Sequence, residues 1–136
     1  MDQGDSRHGY RFRRAQRLSG ERAFDAVFAA RCRKNVGPLI FHARPNDLAF
    51  NRLGLSVSRR VGNAVVRGRI KRLLREAFRL EQHDGPQGYD MVIGVRPHRP
   101  ASLSAYREML TTGKRALDDE WQRRRRRQER AAEEPG

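Results

Sequence analysis

The order of elements legible in this chain is helix, strand, strand, helix, strand, helix, which predicts a small α/β sandwich with a mixed sheet and about three helices. Three observations carry that prediction. Residues 53–58 alternate strictly, with Leu53, Leu55 and Val57 opposed to Gly54, Ser56 and Ser58, the period of a strand with one buried face. At 100° per residue, Val66, Ile70, Leu73, Leu74 and Ala77 fall on one third of a helix circumference. Tyr89 to Val95, YDMVIGV, is a mostly apolar strand stopped by Pro97 and Pro100. A chain of 136 residues fits one domain with frayed ends and one modest core.

The remaining elements follow in order. Residues 1–16 are polar, basic and rich in Gly, Asp and Arg, and read as a disordered basic arm, so the fold should begin near Leu18. Ser19 followed by Glu21 and Arg22 looks like a helix start. Phe24, Val27 and Phe28 then recur at i, i+3 and i+4 in a short helix ending around Arg31, where the aromatic pair suits core as well as a ligand platform. Gly37 to Arg44 has strand character, with Leu39 and Phe41 on one face and Ile40 and His42 on the other, and Pro45-Asn46-Asp47 turns the chain. The next strand, Arg52 to Arg59, has a Gly/Ser face; it is either a floor for an extended nucleic-acid strand or an ordinary half-exposed sheet face.

Val61-Gly62-Asn63 breaks that strand, and Asn63 can cap a helix running to about Leu80. A loop with His83, Asp84, Gly85, Pro86 and Gly88 precedes the YDMVIGV strand. Ser102 or Ser104 can cap a last helix through about Leu117, with Leu103, Tyr106, Leu110 and Leu117 among its apolar positions. Residues 118–136 form a charged tail that contains Arg123 to Arg127. It is expected to be disordered, with non-specific RNA affinity, although helical continuation would place Asp119 and Glu120 four residues before Arg123 and Arg124.

Charge narrows the partner. The formal net charge is +14 and the sequence pI about 11.5, which puts nucleic acid first and an anionic membrane surface second. No apolar run approaches the ~20 residues of a spanning helix, and the polar N-terminus lacks the apolar segment of a signal peptide, so a cytoplasmic location is expected. Of the 30 cations, 27 are Arg, a bias that suits RNA phosphates and bases and that a GC-rich genome also produces. A single cysteine, Cys32, excludes an internal disulfide and a cysteine-based zinc site, and reads as a buried or idle thiol.

Catalytic constellations are missing from the pattern. His8, His42, His83 and His98 are scattered, Asp84 and Asp90 flank a turn without an acid/base partner, and Gly62 and Gly68 do not complete a phosphate loop. The strongest functional signal is the stretch Arg59 to Arg79, with eight Lys/Arg and one acidic residue. Arg67, Lys71, Arg72, Arg75 and Arg79 spread over the face opposite its apolar stripe, an arrangement suited to a polyanion. Arg67, Gly68 and Arg69 also sit near the helix N-terminus, whose free N–H groups favour phosphate. Gly68 lies mid-face, where it costs helix stability ~1 kcal/mol relative to Ala. Composition alone fits a ribosomal protein, a major-groove DNA helix or an RNA-processing factor.

The segment GLSVSRRVGNAVVRGRIKRLLREAFR, together with Arg17-Leu18 and Phe24, Val27 and Phe28 upstream and Arg96-Pro97 downstream, closely resembles the protein subunit of bacterial ribonuclease P. The resemblance covers residues 17–117, an RNA-binding domain between the arm of residues 1–16 and the tail of residues 118–136. It implies a fold similar to the second domain of ribosomal protein S5, with a left-handed strand–helix–strand crossover in place of the right-handed default. It also implies one protein acting with one RNA to remove the 5′ leader of precursor tRNA. The catalytic Mg2+ would sit on the RNA subunit, with no cofactor bound by the protein and neither DNA nor membrane as partner.

Carried onto this chain, the family's RNA-subunit site falls on Arg67, Gly68, Arg69, Lys71 and Arg72, with Arg75 on the same helix. The leader-binding cleft falls on Phe24, Phe28, His42, Ser58, Arg59 and Arg60. Gly68 replaces the middle Asn of an Arg-Asn-Arg motif, His42 stands where relatives favour Tyr, and Arg59 and Arg60 stand where they favour Lys. The main rival is a structural RNA-binding protein of ribosomal type. A sequence-specific DNA binder comes third, since nothing suggests a dimer with half-site spacing.

Overall fold

The structure, a computed structural model, describes residues 12–133. Along the chain lie α1 (Glu21–Ala29), β1 (Arg33–Val36), β2 (Leu39–Pro45), β3 (Arg52–Ser56), α2 (Ala64–Glu81), β4 (Tyr89–Val95) and α3 (Leu103–Glu133), with 3-10 turns at Arg14–Gln16 and Arg59–Val61. The expected α/β sandwich with a small mixed sheet and three helices is present among these residues.

The apolar run YDMVIGV becomes an inner strand, and every residue of β4 except Gly94 is buried. The sheet order is β1-β2-β4-β3, with β4 parallel to β3 and antiparallel to β2. Met91, Ile93 and Val95 join Leu39, Phe41, Ala43 and Leu53 on the face that α2 and α3 cover. On the other face Val92 packs with Leu18 and Val27 under α1. Strand β1 was not among the expected elements. Its residues, RKNV, carry no apolar alternation, as suits a charged edge strand, and it forms by pairing antiparallel with β2 across Gly37-Pro38, where Gly37 takes φ +55°.

The helix starts divide between expected and unexpected caps. Asn63 caps α2 as its sequence position suggests, its Oδ1 accepting from the Val66 N–H at 2.9 Å. Ser19 does not cap α1; Gly20, at φ +92°, occupies that position without a side-chain bond. The buried face of α2 holds Ile70, Leu74 and Ala77 and also Phe78. Phe12 meets Phe78 edge-on at 5.4 Å, and buried Gln16 donates to Gln82 at 2.9 Å. The packed body therefore begins at Phe12, five residues inside the stretch expected to be a disordered arm; residues 1–11 of that arm lie outside the described residues. The Phe12–Phe78 contact and the Gln16–Gln82 amide pair help to hold this segment, and neither leaves a periodic pattern.

The largest departure concerns the charged tail, where α3 runs 31 residues to Glu133. Ser102 caps it, accepting from Ala105 at 3.1 Å, and Tyr106, Leu110 and Leu117 are buried as expected. Lys114, buried on the same face, donates to the carbonyls of Glu81 and Asp84 at 3.0 and 2.5 Å. Its desolvated ammonium, held below its ordinary pKa, satisfies free carbonyls at the end of α2.

Beyond Leu117 the helix is tied down by single polar contacts. The Tyr89 hydroxyl donates to Asp118 at 2.6 Å, and Trp121 Nε1 donates to the Ala43 carbonyl at 3.1 Å. Arg124 lies over the Trp121 ring and donates to the carbonyls of Ala30 and Arg31 at 2.8 and 2.7 Å. Glu120 meets Arg123, Arg124 and Lys34 at 2.8, 3.0 and 3.5 Å. No apolar repeat continues past Leu117, so the sequence pattern stops where the anchoring changes from core to individual contacts. Residues 134–136 of the expected tail lie outside the described residues.

Two outcomes test this packing. A Cβ on Gly113 would lie 2.6 Å from the Phe41 ring, so Gly113→Ala should destabilise by ~1–2 kcal/mol in denaturant unfolding, overpacking outweighing the ~1 kcal/mol of helix propensity gained. Hydrogen bonds from Arg123 and Arg124 hold the Glu120 carboxyl down at about 2 against an ordinary 4.5. The native state thus favours the ionised form, and the stabilisation is complete above about pH 4.5 and disappears as pH falls toward 2. Wild type should melt above Glu120→Gln at pH 7, with the gap closing as acid is added.

Candidate nucleic-acid interface

Helix α1 crosses the sheet from β3 toward β1, and its path decides what stays open. At its β3 end the Leu18 N–H bonds the Leu53 carbonyl at 2.9 Å, and a Cβ on Gly54 would lie 2.6 Å from the Phe24 ring. Val27 packs on Val92, and Phe28 meets His42 edge-on at 4.8 Å. Gly54, Val92 and His42 are consecutive partners across β3, β4 and β2, so the helix lies over this one cross-strand row.

The next row on the same face is Ser56, Gly94, Ile40 and Asn35, again in register across all four strands. Ser56 and Asn35 are exposed, and Gly94 and Ile40 are half-buried. With strands ~4.8 Å apart, this uncovered row forms a groove floor ~14 Å long. The Gly/Ser floor suggested by residues 53–58 is therefore corrected in detail. Gly54 is small because Phe24 sits on it, while the open floor combines Ser56 with Gly94, Ile40 and Asn35, which lie outside that alternating segment. The alternation that set Ile40 beside His42 carried part of that signal; the Gly94 register exists only through strand pairing.

Three of the six expected cleft residues are rings in series, Phe24 on Phe28 and Phe28 on His42. Phe28 and His42 form the groove wall, and Phe28 keeps 40% of its surface exposed. Burial first, and Arg33 second, push the His42 imidazole below its ordinary pKa, so the ring is neutral at pH 7 and presents an uncharged face. Ser58, Arg59 and Arg60, all exposed, lie at the β3 end of the groove, in the turn anchored by buried Val61. Phe24 meets the Phe28 ring edge-on at 6.5 Å. With Arg17 and Arg75 it also lines a concavity of about 270 Å³ at the β3 edge, which one residue assigned to the cleft thus shares with one assigned to the RNA-subunit face.

On α2, Arg69, Arg72 and Arg75 are exposed and Lys71 half-buried, and none of the four pairs with a carboxylate among the described residues. Arg67 folds back, its Nε donating to the Gly62 carbonyl at 3.1 Å, which fixes the loop between groove and helix. Arg79 is held by Glu76 at 2.6 Å and is less available than its place on the face suggested. A Cβ on Gly68 would meet only Arg72 Nη1, the far end of a flexible exposed side chain, at a tight 3.3 Å.

Acidic side chains take structural roles. Asp90, buried, receives two bonds from Arg52 at 2.7 Å and one from Asn46 at 3.0 Å, and Glu81 pairs with Arg107 at 2.6 Å. Cys32 is buried with its thiol pushed up by desolvation. No three His, Cys, Asp or Glu side chains converge on a metal-sized point among the described residues, and no helix there is long and apolar enough to cross a membrane.

A basic α/β sandwich with an open cross-strand groove and an uncompensated cationic helix belongs to the class of proteins shaped to meet a polyanion. A sequence model described as ribonuclease P matches residues 12–118, and the chain belongs to that family. The ribonuclease P protein component of Methylococcus capsulatus is 51% identical over 75 residues, covering 54% of this chain and 59% of that protein. That of Brevibacillus brevis is 42% identical over 85 residues, covering 62% and 68%. The chain thus spans about half to two thirds of the length of such relatives. The solved RNase P protein of Thermotoga maritima superimposes with TM-score 0.66 at 30% identity, covering 73% of this chain and 96% of that one.

Gly68 yields a direct test. Because only the flexible end of Arg72 has to give way, Gly68→Ala should stabilise the isolated protein by up to ~1 kcal/mol in chemical denaturation, opposite in sign to Gly113→Ala. The same helix propensity acts at both sites, so a loss at Gly68 would mean that α2 is more crowded than its geometry indicates.

Proposed function

We propose that this chain is the protein subunit of a cytoplasmic ribonuclease P. It binds the catalytic RNA through α2 and the 5′ leader of precursor tRNA through the groove beside α1, assisting endonucleolytic release of the mature tRNA 5′ end. The observation that carries this reading is the continuity of the two surfaces. The groove ends at Ser58–Arg60, and three residues after Arg60 the Asn63 cap begins the helix whose Arg69, Lys71, Arg72 and Arg75 lack carboxylate partners among the described residues.

Each surface suits a different part of an RNA. The groove admits an extended single strand, with the Phe28 and neutral His42 rings available to stack on unpaired bases. The α2 cations favour backbone phosphates, and their engagement should release counterions and weaken steeply with salt. Hydrolytic chemistry in this reading belongs to Mg2+ held by the RNA subunit. Four of the carboxylates here, Asp90, Glu76, Glu81 and Glu120, are each committed to an arginine.

Reconstitution with the cognate RNA tests the proposal. Arg69→Ala and Arg72→Ala should weaken assembly with the RNA subunit and lower the salt dependence by about one unit of log–log slope each. Phe28→Ala should leave assembly intact and weaken affinity for leader-bearing substrate relative to leaderless tRNA. As a partly exposed ring, Phe28 should cost less stability on truncation than the ~3–5 kcal/mol of a buried Phe. Equal effects of all three variants on both assays would refute the division of labour. Association with ribosomal subunits instead of a tRNA-processing RNA would favour the ribosomal-type alternative.

A further inference from the structure

The last turns of α3 lie beyond residue 118, where the family match ends, yet they are docked with specificity. Arg124 holds the two carbonyls that end α1, Trp121 holds Ala43, and Glu120 reaches Lys34 on edge strand β1. From that root the helix continues to Glu133 with every residue from Arg125 onward exposed. Arg123, Arg126, Arg127 and Arg130 recur at i, i+3, i+4 and i+7, a single stripe facing away from Trp121. Arg126, Arg127 and Arg130 have no carboxylate partner among the described residues. The segment from Trp121 to Glu133 contains no Gly or Pro and is built mainly from Arg, Gln, Glu and Ala, so it remains helical without a core to pack on.

The position of the root matters more than the charge. Helix α1 runs from β3 to β1, and the groove beside it runs the same way, from Ser58–Arg60 at one end to Asn35 on β1 at the other. Exposed Arg33 stands at the β1 end, near Arg31, where α3 is pinned to the last carbonyls of α1. The stripe is also remote from the α2 face. Arg69 acts electrostatically on Tyr106, and from Tyr106 to Arg126 the helix advances ~30 Å. An RNA segment seated on Arg69 and Arg72 does not reach the stripe by local contact, whereas a strand leaving the groove at β1 passes its root.

We infer that the Arg123–Arg130 stripe is a second leader-binding element, which takes the backbone phosphates of single-stranded RNA emerging from the β1 end of the groove. This rests on the leader-binding role of the groove and extends it to leaders longer than the groove. Its contacts are to phosphates, so it adds affinity without base preference.

The test uses the holoenzyme, reconstituted from full-length protein and cognate RNA subunit, with Arg126→Gln, Arg127→Gln and Arg130→Gln combined. Glu120, Trp121 and Arg124 are kept so that the helix stays docked, and circular dichroism verifies its helix content. Binding is measured for one precursor tRNA with a leader that ends within the groove and one with a leader extending well past it. The variant should lose on the order of tenfold affinity for the long-leader substrate, with the log–log salt slope reduced by about 2 for three single-strand phosphate contacts. Short-leader binding and RNA-subunit affinity should remain at wild-type values. Equal losses on both substrates, a loss in RNA-subunit affinity alone, or no change at all would each overturn the inference. Failure of the proposed function is separately visible, because the wild-type holoenzyme would then show no leader-dependent binding with either substrate.

Discussion

Strand β4 carries apolar side chains on both of its faces, so it is stable only when each face is covered. Helices α2 and α3 cover Met91, Ile93 and Val95 together with the inner residues of β2 and β3. Helix α1 covers the other face as far as Val92 and no further. The next inner residue on that face is Gly94, which has no side chain to bury, and its neighbour on β3 is Ser56. Water can lie on this row at little hydrophobic cost, so the groove stays open in a fold whose other demands are for closure. Burial of β4 thus fixes both the main core and the empty row beside α1.

Electrostatics follow from where the few carboxylates are used. Asp90 and Glu81 tie strands and helices together through Arg52 and Arg107, and Glu120 holds Arg124 and reaches the edge strand through Lys34. Arg69, Arg72 and Arg75 on α2 and Arg126, Arg127 and Arg130 on the end of α3 are exposed without a carboxylate partner among the described residues, a self-repulsion that a polyanion relieves. Arginines of one composition consequently divide into two kinds. Arg52 is an anchor set by both Asp90 oxygens and Arg124 one set by Glu120 and the Ala30 and Arg31 carbonyls, whereas Arg69, Arg72 and Arg126 have no carboxylate partner among the described residues.

Much of this architecture is legible in the residue order. The limits of β4, the Asn63 cap and the apolar stripe of α2 come directly from it, because a strand period, a cap and a helix period are local properties. The order GLSVSRRVGNAVVRGRIKRLLREAFR points to the family to which the chain belongs. Less visible are β1, whose polar residues acquire strand structure by pairing with β2, and Phe12 and Gln16, whose partners lie more than sixty residues away. The charged segment after Leu117 resembles a solvated tail in sequence because its helix is held by Trp121 and Arg124 individually.

Sequence alone determined α1, α2, the three strands β2, β3 and β4, the first half of α3 and the cationic face of α2, since these depend on spacings of a few residues. Tertiary structure alone decided which small residues are covered and which are open. Gly54 lies under Phe24 and Gly94 does not, although both are glycines in strands. It likewise separated bound cations such as Arg79 from open ones such as Arg72. The reason is physical: accessibility and charge pairing are set by groups distant in the chain, and a residue's neighbours across a sheet exist only once the strands are in register.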